Sequence, residues 1–164
     1  MDTLFDLPAH AFLIHAPIVL LPLAAVVTIV LAVRPAWRRA AGWWMVGGLA
    51  LVGLLVFLAK SSGEELDAAF AGAVDVSEHE QLANTTFVLT LVWLVAYAVL
   101  VAVDHRADTS SAGGEVSLRA QPVGVLLLSG ASVVLAVLAT VWLVRTGHEG
   151  SRVVWEPTMD FLEF

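Results

Sequence analysis

The chain has 164 residues, of which 59% are apolar and only 14% charged, with a mean hydropathy of +0.87 and a net charge of -7. A soluble domain of this length needs more charge to cover its surface, and the acidic balance leaves no basic footprint for nucleic acid. With no cysteine, the chain holds no disulfide, thiolate zinc site, cysteine-ligated iron–sulfur cluster or covalent c-type haem, and it is too short for a transporter of nested repeats.

Four stretches free of Asp, Glu, Lys and Arg are long enough to cross a bilayer, which takes about 20 apolar residues. They run from Leu13 to Val33, Ala40 to Ala59, Gln81 to Val103 and Ala120 to Val144. Backbone groups in hydrocarbon must be satisfied within the segment, so each stretch is read as a helix. Short connections favour antiparallel neighbours. The expected architecture is all-α: one antiparallel four-helix transmembrane domain over residues 1–164.

The first span does not read as a cleavable signal peptide, because Asp2 and Asp6 replace a basic leader and the apolar run is too long. Pro17 removes the hydrogen bond to the carbonyl of Leu13, and Pro22 repeats the effect one turn later, which leaves room for an irregular helix there. Arg34, Arg38 and Arg39 follow, and with Arg106 and Arg119 they place five basic residues at one end of the bundle against Lys60, Arg145 and Arg152 at the other. The positive-inside rule then puts both termini outside the cytoplasm, with Trp37, Trp43 and Trp44 in the inner interfacial belt and Trp142 in the outer one. The expected location is the inner membrane of a bacterium.

In the second span Gly47, Gly48 and Gly53 offer close helix approach, as do Ala24, Thr28 and Ala32 in the first and Ser132, Ala136 and Thr140 in the fourth. Ser62 and Glu65 have capping-box spacing ahead of Leu66, Phe70 and Ala73, which predicts a short outer amphipathic helix between spans two and three. Ser77 and Glu80 repeat that spacing and predict a third helix starting at Glu78. Residues 107–114 read as a flexible loop. Gly147 predicts a C-cap ending the fourth helix, followed by an apolar tail (Val153, Val154, Trp155, Met159, Phe161, Leu162, Phe164) packed across the outer mouth. No long internal repeat is visible in the residues themselves.

Of five histidines, His10, His15, His79 and His148 fall at the outer end of the expected bundle and His105 at the inner end. Antiparallel packing brings such helix ends together, so the four outer imidazoles form the candidate site. His10 and His15 are five apart, roughly 140° around a regular helix, and do not form a chelating pair; the deeper His15 is expected to point inward and His10 to sit at the rim. Glu78 and Glu80 favour a charged His79, whereas the positive helix end opposes it. Gly147 and Gly150 flank His148 and allow a flat ligand or another backbone to approach.

These residues resemble a family of bacterial four-helix membrane domains, domain-of-unknown-function family 2231. The resemblance rests on Leu7-Pro8-Ala9-His10 with His15 following, on Ser62-Gly63-Glu64-Glu65-Leu66, on His79-Glu80, and on Gly147-His148-Glu149-Gly150 with Val154-Trp155. Ala11 stands where the family usually has proline. The resemblance implies a redox setting, since such domains occur beside Rieske iron–sulfur or c-type cytochrome domains.

Three functions are weighed. The leading expectation is a b-type haem held by His15, His79 and His148, with His10 nearby and Gly63, Gly147 and Gly150 supplying clearance, exchanging electrons with a quinone or an extracytoplasmic carrier. The second is a zinc or copper site at His10, His15, His79 and His148 with Glu80, Glu64 or Glu149. The third is a cofactor-free structural or assembly subunit of a larger complex, or a homo-oligomer. Ser61, Ser62 and Ser77 lack a nucleophile-elbow pattern, no charged residue interrupts the four apolar stretches, and Thr90, Trp93 and Tyr97 read as core before they read as a quinone pocket.

Overall fold

The computed structural model describes residues 3–4, 7–70, 73–109 and 121–160. A two-residue antiparallel pair, β1 (Thr3–Leu4) with β2 (Leu7–Pro8), precedes five helices: α1 (Ala9–Leu13), α2 (His15–Val33), α3 (Pro35–Phe70), α4 (Ser77–Thr109) and α5 (Val123–Asp160). Four helical segments are long and apolar enough to cross a membrane: Ala9–Val33, Pro35–Ala69, Ser77–Arg106 and Val123–Glu156. The fold is the expected all-α bundle.

Prolines set its first half. The missing N–H of Pro17 leaves the Leu13 carbonyl without its helical donor, and α1 passes into α2 at Ile14, which keeps helical dihedrals (φ -65°, ψ -26°) and the bonds Ile14 N–H to His10 O and Ile18 N–H to Ile14 O. Arg34, barred from helical geometry by the following Pro35, sits at φ -124°, ψ 79° and turns the chain. Pro35 then opens α3 at a position where its missing N–H costs nothing.

Two boundaries differ from expectation. Residues 62–70 are helical but continue α3 without interruption, so the amphipathic segment is the end of a long helix. Likewise α5 runs through Gly147 and Gly150 to Asp160, so Gly147 is no C-cap, and Val154 and Trp155 are exposed instead of packed across the mouth. Helix α4 begins at Ser77, where Asp75 accepts the Ser77 N–H at 3.0 Å and fixes the first turn in place of a Ser77–Glu80 box. These hydrogen bonds, from the Ser77 hydroxyl first and its amide second, hold the Asp75 carboxyl below its ordinary range. The expected loop at 107–114 is helical as far as Thr109; its remainder, and the tail beyond Asp160, lie outside the described residues.

Helix α2 packs against α3 and α5, and α4 against α3 and α5, so α2 and α4 face each other diagonally. Thr28, Ser132 and Ala136 are fully buried, as the small-residue faces predict, and a Cβ added at Gly53 would stand 3.8 Å from Leu91 Cδ2; Gly47 and Gly48 face open space and take no part in packing. Val19, Leu23, Trp37, Trp44, Val95 and Leu127 lie outward, a surface suited to lipid and not to water.

The bundle is built from two equivalent hairpins. Buried positions of α2 (Pro17, Leu21, Ala24, Thr28, Leu31) match those of α4 (Thr86, Thr90, Trp93, Tyr97, Leu100) at the offset relating His10 to His79. Buried positions of α3 (Arg38, Gly42, Met45, Leu49, Val52) match those of α5 (Val125, Ser129, Ser132, Ala136, Ala139) at the offset relating Gly63 to Gly150. Both hairpins start from the same end of the bundle, as in parallel membrane repeats. The repeat lies mainly in burial register, with few identical residues beyond the His10/His79 and Gly63/Gly150 pairs, and so is faint in the sequence.

Candidate functional site

His10, on α1, reaches across to α3. Its Nδ1 lies 2.9 Å from the Ala59 carbonyl and 3.2 Å from Ser62 Oγ, and Ser62 Oγ itself donates to the same carbonyl at 2.8 Å. Gly63 supplies the room: a Cβ there would stand 3.1 Å from His10 Cε1. His79, on α4, repeats the arrangement against α5, with Nδ1 3.0 Å from the Thr146 carbonyl and a Cβ at Gly150 falling 2.9 Å from His79 Cε1. Thr146 Oγ1 also lies 3.0 Å from Thr86 Oγ1, tying the carbonyl's residue to the bundle core.

A carbonyl only accepts, so Nδ1 carries the hydrogen in both rings. In the neutral form this leaves each Nε2 with a lone pair, the state in which imidazole ligates metals. The two ring centres are 6.4 Å apart with planes at 88°. Each ring is thus oriented by a backbone bond on one side and a glycine against its edge, on helices that face each other across the bundle.

The family described as predicted membrane protein, domain of unknown function 2231, matches residues 6–160. The chain belongs to this family. No curated protein and no solved structure matches it.

In this member of family 2231 the other expected site residues stand apart from the pair. His15 is exposed, so the inward histidine of the first span is His10: the five-residue spacing sets the two on different helix faces, and it is the shallower one that turns to α3. His148 is also exposed. It lies midway along the outer part of α5 and lines an open cleft of about 390 Å³ with Glu78, Leu82, Val144, Arg145, Glu149 and Arg152. Gly147 has nothing near it, so the clearance expected around His148 is used at Gly150, for His79. Glu80 is exposed, Glu64 pairs with Lys60, and Glu149 is buried with Arg152 Nη1 at 3.1 Å. Among the described residues no group of three or more His, Asp or Glu is placed to hold a metal ion. His105, at the far end, bonds the Val101 carbonyl and packs edge-on to Trp43.

A second polar centre, which the sequence did not disclose, closes the opposite end. Arg38 is 0% exposed and Asp104 1%, with Arg38 Nε donating to Asp104 Oδ2 at 2.8 Å. Its remaining nitrogens reach the Leu31 and Ala32 carbonyls on α2 (3.4 Å each), Ser129 Oγ on α5 (3.3 Å) and Gln121 Oε1 (3.1 Å). Arg39 Nε stands 3.5 Å from Asp104 Oδ1. One guanidinium therefore links all four long helices. The one signal pointing to it is spacing: Asp104 continues the buried face of α4 seven residues beyond Tyr97, so it belongs to the core and not to the loop.

Proposed function

We propose that this protein is a membrane-embedded redox subunit that holds a b-type haem between His10 and His79. The observation carrying the reading is the pair of imidazoles, each pinned at Nδ1 by a backbone carbonyl of another helix, 6.4 Å apart. Two imidazoles bound on opposite sides of one ion, at N–metal distances of about 2.0 Å, would have ring centres roughly 6 Å apart. The donor count favours haem over a bare ion. Zinc takes four protein or solvent ligands, whereas a haem brings its own equatorial nitrogens and asks the protein for one or two axial imidazoles. Bound there, the haem would pass single electrons.

The arginine bias supports a histidine end outside the cytoplasm, in a bacterial inner membrane. Electrons would then be exchanged with a quinone or with an extracytoplasmic Rieske or c-type carrier. What the chain itself supplies is orientation: Ala59, Ser62 and Thr146 fix the rings, and Gly63 and Gly150 leave room for the ring edges against α3 and α5. A second reading has its own support, because each Nδ1 bond joins two helices and can act as a brace with no cofactor at all.

Absorption spectroscopy of the detergent-purified protein separates them. The haem reading expects a Soret band that is lost in His10→Ala and His79→Ala and kept in His15→Ala and His148→Ala. A colourless, folded protein refutes it and leaves the brace; a Soret band indifferent to His79→Ala refutes the assignment of ligands.

A further inference from the structure

Helix α4 is polar where a membrane helix is expected to be most apolar. Seven of its residues between 77 and 106 are buried, and five of them (Thr86, Thr90, Trp93, Tyr97 and Asp104) carry a polar atom. Its outward face carries Val88, Leu91, Val92, Val95 and Val99. At about 1.5 Å per residue the polar stripe from Thr86 to Asp104 covers roughly 27 Å, close to the hydrocarbon thickness of a bilayer.

The middle of the stripe is unpaired. Among the described residues none lies within hydrogen-bonding distance of the buried Trp93 Nε1, Tyr97 Oη or Thr28 Oγ1, and Asp104 Oδ1 meets only the Arg39 guanidinium, at 3.5 Å. Thr28 is the counterpart of Tyr97 in the other hairpin, one turn from Leu31, whose carbonyl accepts from Arg38. Polar atoms left unpaired in a membrane core cost several kcal/mol each unless water meets them, and buried water takes two to four such partners. At the histidine end Thr90 Oγ1 donates to the Thr86 carbonyl at 2.8 Å, Thr86 Oγ1 and Thr146 Oγ1 lie 3.0 Å apart and each also bonds the carbonyl four residues before it, and the Thr146 carbonyl holds His79 Nδ1.

We propose that the bundle core is a proton path, running from Asp104 through water held by Thr28, Tyr97 and Trp93 to the hydroxyls of Thr90, Thr86 and Thr146 beside His79. Each hydroxyl and each water accepts one proton and releases another, so nothing is oxidised or consumed. Trp93, a donor only, positions water without relaying. The charged groups facing the path are Asp104, Arg38 and Arg39 at one end and His79 and His10 at the other; between them, among the described residues, there are none, which suits a neutral relay.

The path stands independently of the haem. The test is proton flux into liposomes holding the full-length protein as isolated, read with an entrapped pH dye under a potassium diffusion potential, with haem content taken from absorbance of the same samples. Flux is expected roughly tenfold above protein-free liposomes, falling by about that factor in Tyr97→Phe, where the barrier rises by the same step. Thr28→Val should lower it as well, and the lipid-facing Val99→Ala should leave it unchanged. Asp104→Asn risks unfolding, so Tyr97→Phe and Thr28→Val decide the matter, each checked for wild-type helix content. Wild-type flux no faster than protein-free liposomes overturns the proposal, and so does Tyr97→Phe conducting at the wild-type rate.

Discussion

Gly150 and Gly147 lie one turn apart on the same helix, yet an added methyl group meets opposite surroundings at the two positions. At Gly147 it finds nothing within 4 Å; at Gly150 it comes to 2.9 Å from Cε1 and 3.1 Å from Nδ1 of His79. Replacing a mid-helix glycine by alanine gains about 0.5–1 kcal/mol from the backbone alone, and this gain is common to both variants. Their difference therefore isolates the contact with the ring. That ring is tethered through Nδ1 to Thr146 O, four residues before Gly150 on the same helix, and it cannot withdraw without losing its hydrogen bond. Overpacking of this kind costs about 1–3 kcal/mol. For a chain of this size, each kcal/mol moves the unfolding midpoint by about 2–4 °C. Gly147→Ala should therefore melt at or slightly above the wild type in detergent, and Gly150→Ala several degrees below Gly147→Ala. Equal midpoints for the two variants would show that His79 does not lie against α5 as described.

The counterpart in the other hairpin, Gly63→Ala, brings a methyl to 3.1 Å from His10 Cε1, so its loss against wild type should have the same sign and be smaller, read in the same melts. Asp104→Asn leaves the fully buried Arg38 without its carboxylate and should cost about 3–5 kcal/mol, whereas Arg38→Met with Asp104→Leu removes both charges and should cost less than either single change; denaturant titration in mixed micelles measures both. Asp75 has a pKa lowered by its bonds to Ser77, so its contribution to the start of α4 is present above the ordinary carboxylate range and lost as pH falls through the lowered value. Hydrogen exchange of the first-turn amides should speed up over that acidic window in wild type and show no such step in Asp75→Ala.

Residue type and run length made the spans legible, because the bilayer imposes a length and forbids unpaired backbone. They also made Pro17 legible as the loss of one helical donor. Less legible was everything that depends on which helix stands opposite. The ring of His10 turns inward because Ala59 and Gly63 present a carbonyl and an open surface on α3; Ala59 carries no signal of its own, and Gly63, read as clearance, does not say for which ring. Gly147 resembles a helix end because glycine commonly is one, but α5 continues beyond it, and of the two flanking glycines only Gly150 meets a neighbouring ring. Arg38 and Asp104 lie just outside the charge-free runs that mark the spans, so run length alone assigns a buried ion pair to the loops.

The two ends of the bundle are joined differently. At the histidine end the hairpins contribute equivalent parts: His10 with Ala59 and Gly63, His79 with Thr146 and Gly150. At the other end the equivalence breaks, since Arg38 corresponds to Val125, and Asp104 to Pro35. A pair of like donors facing each other suits a ligand that presents the same atom on both sides, as a metal centre does. An arginine of one hairpin clasped by an aspartate, a glutamine and a serine of the other instead fixes the hairpins to each other, since separating them would leave a guanidinium unpaired in a buried setting. The bundle is thereby braced at the arginine end by a buried charge, whereas near the histidine end the hairpins meet through uncharged ring contacts, His10 on His79 and Phe57 on Phe87.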